Sequence, residues 1–561
     1  MRGHTRIAVT LLSLLLLLSS LAGCSRGFLR GYAEAPSAAM VERSEVDGAP
    51  SGILRFAFDD LGALNTDATE THAIPWKVLV AALLLDRRSR GEPVALREDA
   101  VFPILQDFGF IVPEMILNLD AAVRPGRYTG PIGLNRGVAS RALPRVEVEI
   151  ANLGCAACHA GVTYDTSGMP TRDVWLGLPN TSLDLDGLTR SLYEGLRGAV
   201  NEPGHFRATL DSIYPEMAPG ERATLEKHIL PTLAARIPRA RDEWGALTPY
   251  APGGPGAANG VGAVKHVLGL VGEGEGIVGV GGAVSTPDLG DRLLKSSFAS
   301  DGSFGVPGAR RSEVLGPDDL DAARLDGQAG VVAFFAVSTM GVRPDRVGEI
   351  LPRIREVVEF LRDYRPPPFP GSVDRALAAR GEAVFAARCS VCHGRYSAGP
   401  QPRLVAYPNV VIPAAEIGTD PVRWASATAE FARAIQESEA GRFLALGPTA
   451  GYVPPPLTGL WATAPYFHNG SVPTVWHLLH PEERPERFEV GGHRLDFEKL
   501  GIAGESQADG SVRHPAGYVP WSRPTIYDTR LPGQSNTGHE APLRGLTEEE
   551  KLAVLEYLKL L

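Results

Sequence analysis

The chain has 561 residues, enough for two or three ordinary domains. At 44% apolar and 21% charged it has a globular make-up, which excludes a wholly disordered or fibrous chain. The formal net charge is −10 and no run of basic residues occurs, which argues against nucleic acid as a partner.

The chain opens with Arg2 and Arg6, an apolar run from Ile7 to Leu18, and then Leu21-Ala22-Gly23-Cys24. A short charged start, a short apolar core and small residues before a processing site predict a signal peptide over residues 1–23, too short to span a bilayer. The Leu-Ala-Gly-Cys ending resembles a bacterial lipobox, which would make Cys24 the lipidated first residue of the mature chain. An ordinary secretory signal is the alternative. By resemblance to sorted bacterial lipoproteins, Ser25 after the cysteine favours the outer membrane, so the expected location is outside the cytoplasm on a lipid anchor. Residues 24–50, rich in Ala, Ser, Glu and Pro, read as a flexible tether.

From Pro75 to Leu117 apolar residues recur at helical spacing, but Gly91, Gly109, Pro93, Pro103 and Pro113 break the pattern into short helices. A segment from Val146 to Leu153 leads to Cys155-Ala-Ala-Cys158-His159. Trp175-Leu-Gly-Leu-Pro-Asn-Thr-Ser follows, and a helix is expected from a cap near Asp184. Residues 251–282 are dense in glycine and read as loop. An amphipathic helix over 344–364 carries Ile350, Ile354, Val357, Val358 and Leu361 on one face. It stops at Arg365-Pro-Pro-Pro, the expected domain boundary. Arg375 to Ala387 forms a helix with Gly381 and Phe385 one turn apart, running into Cys389-Ser-Val-Cys392-His393. A last helix covers Thr547 to Leu561.

Two Cys-x-x-Cys-His motifs use four of the chain's five cysteines. Thiols three residues apart share one side of a helical turn, and the next residue points to the same neighbourhood. Covalent c-type haem attachment needs that arrangement: two thioethers to the vinyl groups and a proximal imidazole on the iron. Two pairs could also give four zinc thiolates, a redox dithiol or disulfides, but none of these requires a histidine after each pair. The expected cofactors are two covalently bound c-type haems, haem one on Cys155, Cys158 and His159 and haem two on Cys389, Cys392 and His393.

The expected fold is mainly α with extensive loops: a first haem domain over 51–365, with a large extension, and a second over 366–561. A Gly/aromatic helix before the motif and a closing helix with a Tyr-Leu pair resemble the cytochrome c fold, whose first and last helices cross. Val357-Val-Glu-Phe-Leu and Val554-Leu-Glu-Tyr-Leu close the two halves alike.

The iron's other face decides the chemistry. A haem with two strong ligands transfers electrons, and one with an open sixth position binds oxygen or peroxide. All six methionines lie at or before Met340, so the second domain offers no methionine ligand. Its candidates are His539, in a polar turn before the last helix, then His468, with His477, His480, His493, His514 or a tyrosine behind them. For haem one nothing stands out among Met169, Met340, His205, His228 and His266, and an open or weakly held site is expected.

With these residues in view, the chain resembles the bacterial di-haem cytochrome c peroxidase superfamily. The stretches that carry the resemblance are Trp175-Leu-Gly-Leu-Pro-Asn-Thr-Ser, Tyr407-Pro-Asn, Ile417-Gly-Thr-Asp-Pro, the run from Pro455 through Trp461 and His468 to Thr474, Arg484-Pro-Glu-Arg-Phe and Ser535-Asn-Thr-Gly-His539. The peroxidases carry a methionine ligand fourteen positions after the histidine of the Tyr-Phe-His stretch, and the enzyme that matures methylamine dehydrogenase has a tyrosine there; this chain has Glu482. It is more similar to the di-haem rubber-oxygenase branch. That resemblance implies His393 and His539 on haem two, His159 on haem one, and oxygen binding at haem one. The distal catalytic residues of that branch have no clear counterparts here.

The expected function is an exported redox enzyme. Haem one would react with peroxide or oxygen and haem two would relay electrons from a redox partner, with Trp175 and Trp461 as candidate relays. The alternative is a non-catalytic electron-transfer lipoprotein with two six-coordinate haems. No acidic cluster singles out a calcium site.

Overall fold

In the computed structural model, the described residues are 51–59, 74–121, 126–141, 146–234, 253–268, 282–309, 312–342 and 346–561, with 32–33, 41–42 and residues 124, 237 and 270. The expected signal peptide and Cys24 lie outside them, as does most of the tether.

Helices take up 43% of the described residues and strands 15%, in many small sheets, so the fold is mixed α/β and not mainly α. Two properties of the chain explain the difference. Val146–Leu153 alternates apolar and polar residues with the period of a strand and pairs antiparallel with Leu134–Arg141, from Leu134 opposite Leu153 to Arg141 opposite Val146. Elsewhere Gly and Pro cut the chain too often for long helices, and short extended pieces satisfy their backbone groups by pairing. Ala160–Tyr164 and Pro170–Leu176 form such a hairpin directly after the first motif.

In the first half, helix Trp76–Ser89 packs on Leu185–Asn201. Their backbones touch at Gly195, where a Cβ would overlap the Ala82 carbonyl. The Asp184 carboxylate caps the second of these helices by accepting from Gly187 N at 2.8 Å. Helices Ala322–Met340 and Val347–Asp363 form a hairpin, and Ser51–Phe58 lies on the latter, with Phe56 and Phe360 rings 5.3 Å apart. The Val347–Asp363 helix buries Ile350, Ile354, Val357, Val358 and Leu361, the predicted stripe.

In the second half, Arg375–Arg388 crosses Glu548–Leu558. A Cβ at Gly381 would overlap the Ala553 carbonyl, and Phe385 meets Tyr557 at 5.3 Å. Asp374 caps one helix, and a Thr547/Glu550 capping box starts the other. The glycine-dense stretch holds a short helix, Gly260–Val267; residues 271–281 lie outside the description.

One apolar cluster runs from Phe56 to Leu561 through both halves. The proline turn at 365–367 is gripped from each side: Trp175 Nε1 donates to Arg365 O at 2.9 Å and Trp461 Nε1 to Pro367 O at 3.1 Å. Among the described residues no helix is long and apolar enough to cross a membrane.

Candidate functional site

Each Cys-x-x-Cys-His motif is a short helical turn. Cys155–His159 starts after Gly154, and Ser390–His393 continues the Arg375–Arg388 helix through Cys389. The approach to the first turn is tight. Gly133 has φ +74°, and a Cβ there would overlap the Ala157 backbone nitrogen, so only glycine fits.

All four cysteines are free. Burial pushes the Cys155 thiol up to about 12, and the Cys158 and Cys389 thiols up to about 11. These are not the activated thiolates of a redox dithiol. Among the described residues no group of three or more His, Cys, Asp or Glu side chains could hold one metal ion, so the two pairs do not share a zinc site.

Both histidines next to the cysteines are kept neutral, the form that ligates a metal. Burial lowers His159 to about 4; the Pro287 carbonyl opposes this and the Arg292 charge adds to it. Burial also lowers His393. His393 Nδ1 lies 2.9 Å from the Pro455 carbonyl. A carbonyl only accepts, so Nδ1 carries the proton and Nε2 is left with its lone pair. His159 has the Pro287 carbonyl in the equivalent place, without a hydrogen bond of good geometry.

The structure brings His539 to His393. Their ring centres are 6.2 Å apart, with planes tilted by 54°. Two imidazoles that each bind one metal through a nitrogen at about 2 Å put their centres about 6 Å apart, so the pair fits a shared iron. His539 is held by a left-handed backbone, φ +69°, unusual for a residue other than glycine, and its NH donates to Ile417 O at 2.7 Å. Burial, then the His393 and Arg484 charges, push it down to about 3.

His468, His477 and His480 are engaged elsewhere. His468 Nε2 meets the Tyr452 hydroxyl at 3.1 Å. His477 Nδ1 pairs with Thr474 Oγ1 at 2.7 Å. His480 stacks on Trp476 and bonds Glu548. His493 and His514 lie together, ring centres 6.5 Å apart, away from this pair.

His159 has no second imidazole paired with its ring among the described residues. Met169 stands exposed in the hairpin turn after Tyr164, while Met340 is buried at the end of Ala322–Met340. His205 is exposed, His228 lies in the turn Leu225–Ile229, and the side chain of His266 is outside the description. Trp175 and Trp461 hold the linker by their indole NH groups, and the Trp461 ring also packs on Tyr164 and Phe369.

The two loops behind the proximal histidines are interlocked. Thr458 Oγ1 donates to Asp291 Oδ2 at 2.6 Å, and a Cβ on Gly459 would collide with the Asp288 carboxylate. Asp288 is fully buried, accepting from Tyr364 OH at 2.8 Å and Gly290 N at 2.6 Å. Burial pushes its carboxyl up to about 7. Two further bonds tie this loop to the first motif: Gly177 N donates to His159 O at 2.7 Å, and Leu289 N to Gly177 O at 3.0 Å. On the other side, Leu457 N donates to Tyr396 OH at 2.8 Å. Sequence reasoning named the run from Pro455 only as part of a resemblance, and missed the loop at Pro287 and the contact between the two. The available signal was the pair Pro287-Asp-Leu-Gly and Pro455-Pro-Leu-Thr-Gly, alike in proline, leucine and glycine.

Residues 451–489 match the family described as RoxA-like, cytochrome c-like. The matched stretch contains Pro455, the His393 partner, and the Trp461 clamp. It supports a c-type cytochrome related to the rubber oxygenases, a haem oxidoreductase with c-type haem as cofactor. Two proteins of Sinorhizobium fredii are also similar. The uncharacterized protein y4iM is 34% identical over 229 residues, 36% of this chain and 49% of that protein. The uncharacterized protein y4iJ is 31% identical over 264 residues, 35% of this chain and 41% of that protein. The matches thus span less than half the length of either relative.

Proposed function

We propose that the chain is a di-haem c-type cytochrome of the cytochrome c peroxidase superfamily that works as a redox enzyme. A small oxidant, peroxide or oxygen, is met at the His159 position, and electrons are relayed through the His393 position. A c-type haem supplies reversible one-electron chemistry, and an iron with an open sixth position also takes up oxygen or peroxide.

The observation that carries this reading is an asymmetry. His393 has His539 across from it at 6.2 Å, and His159 has no such partner among the described residues. Cys155, Cys158 and His159 would hold haem one. Cys389, Cys392, His393 and His539 would hold haem two.

The protein's own contribution is positional. The Pro455 carbonyl fixes which nitrogen His393 presents. The Asp291–Thr458 hydrogen bond ties the two proximal loops back to back, which makes a short route of covalent and hydrogen bonds between the histidines. Asp288 and Tyr364, both buried, shield the joint from one side.

Electron paramagnetic resonance of the purified full chain tests the proposal. One low-spin and one high-spin centre, with the high-spin signal answering to peroxide or oxygen, is the expected result. Two low-spin centres unmoved by oxidant, even after partial reduction, would leave an electron-transfer protein. Export on a lipid anchor at Cys24 belongs to the same proposal, and radiolabelled palmitate lost in a Cys24→Ala chain would support it.

A further inference from the structure

Outside the residues that would hold the haems, buried polar atoms without a hydrogen bond gather on two turns of the second half. They are Nδ1 and Nε2 of His493, Nε of Arg494, Nδ1 of His514, Nε1 of Trp521 and Oγ of Ser522. The turns are locked together. Tyr518 OH donates to Gly492 O at 2.5 Å, Trp521 N donates to the same carbonyl at 3.4 Å, and a Cβ on Gly492 would collide with Ser522.

They also adjoin the first motif. Gly492 N donates to Ser182 Oγ at 2.9 Å. Two residues earlier, Asn180 donates from its backbone to Cys158 O at 2.8 Å and from its side chain to Ala157 O at 3.1 Å. The second half of the chain therefore reaches the strap that follows Cys155–His159.

A buried polar group left unpaired is costly, and folded proteins keep such groups few. His493 is 1% exposed and neither ring nitrogen has a partner. An apolar side chain of similar size would fill the place without that cost, so packing alone gives no reason for a histidine. The character of the atoms narrows the ligand. Trp521 Nε1 only donates, while the Ser522 hydroxyl and the neutral His493 ring can each donate one proton. His514 Nε2 lies 3.0 Å from the Gly491 carbonyl and must donate to it. Three unpartnered donors on two interlocked turns suit a group that only accepts, and a carboxylate can accept from all three.

We propose that His493, Trp521 and Ser522 form a carboxylate-binding cradle that the second half of the chain lends to the first haem position. The proposal rests on the reading that Cys155–His159 holds a haem. The carboxylate is either a propionate of that haem or a free small-molecule carboxylate.

The test uses the full haem-loaded chain with His493→Phe and, as a smaller change that spares the packing, Ser522→Ala. Spectroelectrochemistry gives the midpoint of each haem, and calorimetry with benzoate gives the affinity for a free carboxylate. A propionate in the cradle predicts a change of about tenfold in the reduction equilibrium of the first haem, about 59 mV for one electron, with the second haem unmoved. A free carboxylate predicts that benzoate binds the parent chain and that both variants weaken it at least tenfold. Unchanged midpoints together with absent or unaltered benzoate binding would overturn the cradle, and His493 would be ordinary core. Haem counting by mass keeps the two readings apart. A chain with one haem would break the di-haem reading, and benzoate calorimetry would still decide the cradle.

Discussion

The same five-residue motif is set into two different supports. The second, Cys389–His393, continues a helix whose crossing with Glu548–Leu558 is closed at Gly381, and His539 stands opposite its histidine. The first, Cys155–His159, lies between a strand and a hairpin, and none of the described imidazoles stands opposite it. Identical local sequence therefore leaves what stands opposite each histidine to the surrounding fold. At the second motif the fold delivers a strained loop carrying His539. Beside the first it delivers the Asn180–Ser182 strap, bonded to Cys158 on one side and to Gly492 of the second half on the other.

The sharpest way to break this contrast is at His539. His539→Ala should abolish the low-spin signal of the second centre and turn it high-spin, so that both centres look alike. His468→Ala, which loses only its bond to Tyr452, should leave that signal in place.

Steric tests address each support separately. Gly381→Val should cost more than about 3 kcal/mol, since backbone lies where its side chain would go, and should lose the second haem before the first. Gly133→Ala should do the reverse, with the cost of a left-handed backbone added to the overlap with Ala157. Haem counts and melting curves on both variants would check this, and equal loss of both haems would show that the two supports fold as one.

Asp288 gives a pH prediction for the joint between the loops. Its carboxyl titrates near 7 in the folded chain and near 3.8 when unfolded. The unfolded chain therefore releases this proton first, and the group's contribution to stability falls as pH rises from about 4 to about 7, then levels off. Relative to Asp288→Asn, the parent chain should lose stability across that window in urea titrations. A constant difference would mean that the carboxyl is ionised throughout.

The smallest expected effects belong to the linker. Trp175→Phe and Trp461→Phe each remove one indole NH bond to residues 365 and 367. Each should cost about 1 kcal/mol, measurable as a modest fall in melting temperature. If either tryptophan also relays electrons, transfer between the centres would slow as well, as flash photolysis would detect.

Much of the helical frame was legible in the sequence because its signals are local. The apolar stripe of Val347–Asp363, the Asp184 cap and the Gly381/Phe385 spacing all act within one or two turns. The small sheets were not legible. Two-residue pairs such as Ser297–Phe298 with Phe304–Gly305 have no periodicity to detect and exist because another stretch of backbone offers partners. The mainly-α expectation failed there, and at Val146–Leu153, where strand alternation was present but was not weighed.

What the sequence determined by itself is chemistry written within a few residues. Thiols three apart with an adjacent histidine share one helical turn whatever surrounds it, the arrangement that the proposed haem attachment needs. Only the tertiary structure decided that His539 and not His468 faces His393, that the Pro455 carbonyl sets its tautomer, and that Asp291 meets Thr458 across the halves. These pairings join residues from 62 to 167 positions apart. They depend on how the helices, strap and loops pack, and no short-range spacing encodes that packing.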